Sequence, residues 1–292
     1  MKHIAKQILA SALTLSLGFG LAACGGNTQQ TSSNTGSSTT TAASTTDTAE
    51  LITLTVGATI VPHSVILAEV KPILAEEGID LKIVEYTDYS TPNQALVSKD
   101  LDANFFQHQP FLDGFNTDNN QDLVGIIKVH FEPLSLYKAS LDSIEALKEG
   151  STIGVPNDTT NEARALQLLE AEGLIKLKEG VGLEATPIDI VENELNLEIV
   201  ELGAENITNV LQSLDLAVIN GNYALTAGLG ADQIIASEAT DSDAAEIYGN
   251  VIAIRKGDET RPEIKALIEA ITSEEISDFI REEYQGSVIP LN

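Results

Sequence analysis

The sequence predicts an α/β protein of two lobes, and three observations carry that prediction. Short apolar runs alternate with helix-period segments from Leu51 onward, a pattern that builds layered, largely parallel sheets. The pattern is interrupted at Leu136–Ser140 and again at Ala244–Gly249, where the chain can cross from one body to another. At 292 residues the chain also exceeds one ordinary core.

Taken in order, strands are expected at Ile52–Ala58, Leu81–Tyr86, Leu123–Val129, Thr152–Val155, Leu197–Leu202, Leu216–Asn220, Ile234–Ala236 and Val251–Ile254. Helices are expected at Ser64–Glu77, Pro92–Ser98, Ile144–Lys148, Asn161–Ala171, Ile207–Ser213, Arg261–Ile271 and Ser273–Tyr284. Pro62 and Gly78 bracket the first helix as start and stop signals. Two crossings make the first lobe discontinuous, residues 51–138 with 247–292, and leave 139–246 as the second lobe. The cleft between two such lobes suits a small ligand.

The first 50 residues have another character. Lys2, His3 and Lys6 precede an apolar run from Ile8 to Ala23. That run is short of the roughly 20 residues a membrane span needs and ends in small residues, so 1–23 reads as a secretory signal. Leu21-Ala22-Ala23-Cys24-Gly25 resembles the lipobox of bacterial lipoproteins, with the Cys24 thiol as the nucleophile that takes a diacylglycerol. Residues 24–50 lack aromatics and periodicity, and such a segment cannot bury enough apolar surface to offset chain entropy. They read as a flexible Ser/Thr-rich tether.

Composition removes several classes of function. With 16 Lys and Arg against 44 Asp and Glu the formal charge is −28, which argues against nucleic acid as a partner. A single Cys leaves no intrachain disulfide framework and no Cys-based zinc or iron–sulfur site. The only Met is Met1, so a chain cleaved before Cys24 contains no methionine.

Three segments carry candidate binding chemistry. In Thr152–Arg164 a strand runs through a polar turn into a helix start, where free N–H groups favour an anion. Arg164 stands three residues after Asn161 on that helix, and its guanidinium can hold a carboxylate through two hydrogen bonds. It can equally be salt-bridged to one of the many acids. In Leu216–Tyr223 a strand runs straight into Asn220-Gly221-Asn222, and Asn220 sits where ligands of α/β sheets collect. Its oxygen can accept from an ammonium group, or the pair Asn220-Gly221 can simply cap a turn. In Asp102–Pro110, Phe105 and Phe106 stand beside Gln107 and His108. With seven Phe and six Tyr in the chain, that cluster is either an apolar cavity wall or ordinary core with His108 at a helix cap.

Enzyme chemistry is thin: there is no Gly-x-Ser-x-Gly elbow, no phosphate-gripping Gly-x-x-x-x-Gly-Lys loop and no His-Glu-x-x-His. No catalytic residues and no cofactor are expected. A metal site from His63, His108, His130 and Glu132 has the right ligand types, but the spacing supplies no geometry, so no metal is expected.

Together these segments resemble the lipid-anchored methionine-binding components of bacterial ABC importers, the NlpA or MetQ lipoproteins. The resemblance runs from about Val56 to Pro290. It rests on Val56-Gly57-Ala58-Thr59 with Val61-Pro62-His63, Asp88-Tyr89 with Pro92–Leu96, and Leu101–Asn104 with Phe106-Gln107-His108. It continues through His130-Phe131-Glu132-Pro133, Val155–Arg164 and Ala217–Tyr223. It implies a type II periplasmic-binding-protein fold with two crossing strands. It further implies that Arg164 holds an amino acid's carboxylate and Asn220 its ammonium group, with Asn161 nearby. Tyr89, Phe106 and His108 would enclose the thioether, with Tyr137, Asn222 and Tyr248 at the rim. One departure stands out: relatives often carry Asp-Pro-Thr-Asn where this chain has Asp158-Thr159-Thr160-Asn161, an exchange expected to loosen the turn.

The resemblance therefore implies a monomeric receptor on the outer face of the cell membrane, anchored by lipid (diacylglycerol with palmitate) on Cys24. Its partners would be L-methionine and an ABC permease with its ATPase. D-methionine and methionine-containing dipeptides are alternative ligands. Metal capture, surface adhesion and surface hydrolysis are the competing classes.

Overall fold

The computed structural model describes residues 51–240 and 243–292. The expected signal peptide, Cys24 and tether lie outside the described residues. Strands and helices are numbered here in chain order.

Two sheets organise the described residues. The first contains β1 (Ile52–Thr59), β2 (Ile79–Tyr86), β3 (Ala103–His108), β4 (Val124–Phe131), β12 (Asn250–Ile254) and β13 (Ile289–Pro290), in the order β13-β4-β12-β3-β1-β2. β1 runs parallel to both β2 and β3, whereas β12 returns antiparallel between β3 and β4. The second contains β5 (Ser135–Lys138), β6 (Thr152–Pro156), β9 (Glu198–Leu202), β10 (Leu216–Ile219) and β11 (Ile234–Ser237), in the order β11-β5-β10-β6-β9. Its β10, β6 and β9 are parallel, and β5 is antiparallel to both its neighbours. A separate two-stranded ribbon pairs β7 (Lys176–Leu177) with β8 (Ile190–Glu192).

Helices cover both faces of each sheet, which is why β10 and most of β12 read as continuous apolar runs. Against the first sheet, α1 (Val65–Glu76), α8 (Pro262–Ile271) and α9 (Glu274–Tyr284) pack on one face. α2 (Thr91–Val97) and α3 (Gln109–Asn119) pack on the other. β12 shows the period of two: Ile252 and Ile254 join the first core, Val251 and Ala253 the second. In the second sheet β10 divides the same way, with Leu216 and Val218 facing α4 (Thr159–Ala171). Its Ala217 and Ile219 face α5 (Ala204–Val210) and α6 (Gly221–Thr226). The remaining helix, α7 (Asp243–Ile247), precedes β12.

The chain passes between the sheets twice, through residues 132–134 and again between β11 and β12. The first crossing thus comes before β5, not after residue 138 as expected. Leu136 packs with Ile153 and Leu216 of the second core, which fixes Ser135–Lys138 in that sheet. The helix expected at Ile144–Lys148 is one short 3-10 turn, Ile144–Ala146, because the chain turns at Gly150 with φ +77°. β3 and α3 occupy a stretch where neither was expected. Asn104 and Gln107 hide the strand's signature, yet both are buried and paired with Asn93 of α2, Gln107 Nε2 donating to Asn93 Oδ1 at 2.7 Å.

Candidate ligand-binding site

A small cavity lies where the ends of these elements meet. β3 delivers Phe106 and His108 to it, and the loop after β2 delivers Tyr89. The carboxyl ends of the parallel strands β6 and β10 lead into Asn161 and Arg164 of α4 and into Asn220, Gly221 and Asn222. Ligands collect at such strand ends because helix N-termini and loop side chains converge there.

A directed run of hydrogen bonds fixes the polar wall. His108 caps α3, its Nδ1 accepting from the Phe111 N–H at 3.2 Å. A backbone N–H can only donate, so the ring proton sits on Nε2, which donates to Asn161 Oδ1 at 3.1 Å. Asn161 Oδ1 also accepts from Asn220 Nδ2 at 3.0 Å, while Asn161 Nδ2 donates to Asp158 at 2.9 and 3.1 Å. The end of the run is Asn220 Oδ1, buried and without a hydrogen-bond partner among the described residues. Asn220 is the residue before α6, but its side chain caps nothing. A buried lone acceptor of this kind marks the place of a donor. Burial, with the Arg164 charge adding to it, lowers His108 to about 3 and keeps it neutral.

Thr159 stands where the resemblance leads to the expectation of a proline. Asp158 caps α4 by accepting from Asn161 N at 3.0 Å, and Thr159 opens the helix in its place.

Arg164 is buried and salt-bridged, one of the two readings offered by the sequence. Its Nε and Nη2 donate to Glu238 at 2.7 and 2.5 Å, and Nη2 also donates to the Glu132 carbonyl at 2.9 Å. The guanidinium lies 4.3 Å over the Tyr248 ring, a stacked cation–π arrangement. Arg164 nonetheless forms part of the cavity wall, and its Nη1 makes no hydrogen bond among the described residues.

Opposite lies an aromatic wall. Tyr89 stands 5.9 Å from Phe106 and 5.7 Å from Phe111, ring centre to ring centre, in the tilted and edge-on geometries that rings prefer. The Tyr89 hydroxyl donates across the cleft to Asn222 Oδ1 at 2.5 Å. Phe106 and Phe105 take opposite fates: Phe105 is wholly buried in the first core, whereas Phe106 faces the cavity.

Beside the polar wall sits a buried cluster of His63, His130 and Glu132. Glu132 Oε1 lies 2.8 Å from His130 Nε2 and 3.5 Å from His63 Nε2. Thr59 Oγ1 bonds His63 Nδ1 at 2.6 Å and Asn250 Oδ1 bonds its Nε2 at 3.0 Å. Burial lowers His63 to about 4 and His130 to about 3, and it raises Glu132 against the pull of His63 and Arg164. The three ligand atoms lie within 4.8 Å of one another, so the set has the types and spacing to take a divalent cation. His108 is not part of it. In the structure the atoms that would bind a cation are engaged with one another and with Asn250.

Of the residues expected at the site, Arg164, Asn220, Asn161, Tyr89, Phe106, His108 and Asn222 line this cavity. Tyr248 backs the guanidinium instead of lining the space. Tyr137 is elsewhere: β5 turns it into the cluster with Ala217 and Ile219, beside a different surface pocket. Only the family resemblance puts it at the rim. The cavity also takes Phe111, Gln107, Glu132, His63, Asn250 and Gly221. Phe111 had a signal, an aromatic three residues beyond His108 in an aromatic-poor chain. Gly221 is required by close approach, since a Cβ there would come 2.9 Å from Glu132 Oε2.

The fold recurs in known proteins. Residues 54–292 match the NlpA lipoprotein family. The chain is 35% identical over 292 residues to the methionine-binding lipoprotein MetQ of Bacillus subtilis, spanning 98% of this chain and 99% of that one. It is 40% identical over 228 residues to the D-methionine-binding lipoprotein MetQ of Salmonella typhimurium, spanning 76% and 83% respectively. Among solved structures, a nutrient binding protein from Burkholderia cenocepacia bound to methionine matches with a TM-score of 0.78 at 40% identity, over 82% of this chain and 100% of that one. Two α/β lobes joined by two crossings, with the family match running through the whole folded body, lead to one conclusion: the chain belongs to the NlpA lipoprotein family.

Proposed function

We propose that this protein is the lipid-anchored receptor of an ABC importer, capturing free L-methionine outside the cell and handing it to the permease. The observation that carries the reading is the pairing of the two walls. A buried guanidinium and an unpartnered Asn220 Oδ1 face one end of the cavity, and the rings of Tyr89, Phe106 and Phe111 face the other. A zwitterionic head with a soft, polarisable tail satisfies both. Binding alone accounts for these groups, and the relatives are named as binding lipoproteins. Closure of the lobes would follow from contacts the ligand makes only with the closed form.

Anchoring would be through Cys24, since no helix among the described residues is long and apolar enough to cross a membrane. Detergent phase partition of the wild type and of Cys24→Ser tests it, with only the former entering the detergent phase.

The ligand is tested by denaturing the purified, processed protein and identifying what is released by chiral chromatography. Met1 is the sole methionine of the sequence, so methionine released from the processed chain is ligand. L-Methionine is the expected product. D-Methionine or a methionine dipeptide would reassign the ligand. An empty release together with no binding by calorimetry would remove the proposal.

A further inference from the structure

We infer that Glu238 is a positioning residue of the binding site: it holds Arg164 by the Nε edge so that the Nη1 end faces the ligand. The inference rests on the reading of Arg164 as the group that holds the ligand's carboxylate, here through Nη1.

Glu238 follows β11 at the start of the second crossing, in a stretch whose sequence has no pattern of its own. Its carboxylate takes Arg164 side-on, Oε1 from Nε and Oε2 from Nη2. The carboxylate is itself fixed: Oε2 accepts from Leu134 N at 2.9 Å, and Glu238 N donates to Leu134 O at 3.0 Å. Leu134 belongs to the first crossing, and Arg164 reaches that crossing again through the Glu132 carbonyl. One guanidinium is therefore bolted to both segments that join the lobes.

A planar guanidinium presents a limited number of edges. With the Nε edge occupied, Nη2 shared and Tyr248 beneath the plane, Nη1 is left for the cavity. Glu238 is not part of the cavity wall whereas Arg164 is, so the carboxylate stands behind the guanidinium as seen from the ligand. That arrangement separates a positioning carboxylate from an internal stand-in for the ligand, which would have to be displaced on binding.

A mutant cycle read by calorimetry with L-methionine tests this. Glu238→Gln keeps the shape and can still accept from Leu134 N, but it cannot accept both Arg164 bonds. It should weaken binding at least tenfold. Arg164→Ala should weaken it at least as much, and the double variant should bind within about twofold of Arg164→Ala. That non-additivity is the mark of a residue acting through the arginine. Should Arg164→Ala not fold, Arg164→Lys takes its place, keeping the charge without the fork. Should Glu238→Gln not fold, Glu238→Asp replaces it, with an intermediate loss expected. Unchanged affinity in Glu238→Gln overturns the inference, tighter binding makes Glu238 a competitor and also overturns it, and additive losses reduce it to general support of the fold. A wild-type protein that binds no methionine overturns the proposed function first and this inference with it, a result distinct from all of these.

Discussion

The two walls of the cavity differ in how they are built. The wall from the first sheet is made of rings, Tyr89, Phe106, Phe111 and His108, on β3, α3 and the loop after β2. The wall from the second sheet is made of amides and one guanidinium, set at the ends of β6 and β10. Phe106 and Phe111 are positioned by packing, which tolerates small shifts, and Tyr89 and His108 are tied by hydrogen bonds as well. The amides are positioned by hydrogen bonds, each of which fixes the direction of the next. One wall is therefore suited to a shape and the other to a charge pattern, and the lobes bring them together across His108–Asn161 and Tyr89–Asn222.

The comparison breaks most sharply at the arginine. Arg164→Ala should cost about 2–5 kcal/mol of methionine binding, the range for truncating one partner of a buried charge pair, measured by calorimetry on a variant shown to be folded. Affinity unchanged within error would mean that the polar wall does not hold the carboxylate.

Asn220→Ala comes next. It removes the unpartnered acceptor and should cost about 1.5–3 kcal/mol, as for a hydrogen bond to a charged group. The loss should shrink for a methionine analogue lacking the amine. An equal loss with both ligands would detach Asn220 from the ammonium.

Acidity separates the walls in another way, because imidazoles titrate and amides do not. His108 has its folded value lowered to about 3, below the unfolded value near 6.5. Between those values the unfolded chain holds a proton that the folded chain lacks, so stability falls as pH drops through that window. His63 and His130 act in the same direction, and Glu132, raised by burial, acts in the opposite one. Urea unfolding of ligand-free protein at pH 6 and pH 5 should show wild type losing up to about 1.4 kcal/mol per pH unit more than His108→Gln. Parallel slopes would show that His108 is protonated in the folded chain.

The smallest expected effect is Tyr89→Phe, which keeps the ring and removes the bond to Asn222. About 0.5–1.5 kcal/mol of ligand affinity should be lost, with selectivity between methionine and its carbon isostere norleucine unchanged. A large change in that selectivity would mean the hydroxyl helps to shape the tail pocket.

Much of this was legible before the structure. β1 follows from an alternating run and β6 and β10 from short apolar ones, and the polar turns after β6 and β10 put Asn161, Arg164 and Asn220 beyond strand ends. The rest was hidden for physical reasons. β3 is covered on both faces and carries Asn104 and Gln107, whose pairing with Asn93 replaces the apolar alternation that marks a strand. Tyr137 was misplaced by where a four-residue strand pairs, which nothing local to β5 decides. Glu238 had no local signal, because its meaning comes from an arginine 74 positions earlier in the chain.

The cap of α4 has a consequence for which metabolites the protein ignores. Asp158 accepts from Asn161 Nδ2 and Asn161 Oδ1 accepts from Asn220 Nδ2, which fixes the Asn220 amide with its oxygen as the unpartnered end. On the proposed pose that oxygen meets the group on the ligand's α-carbon. An α-amino acid brings protons to it, whereas the matching α-keto acid brings a second oxygen. On the proposed function, the Asp158 carboxylate would thereby help sort an amino acid from its transamination product through Asn161.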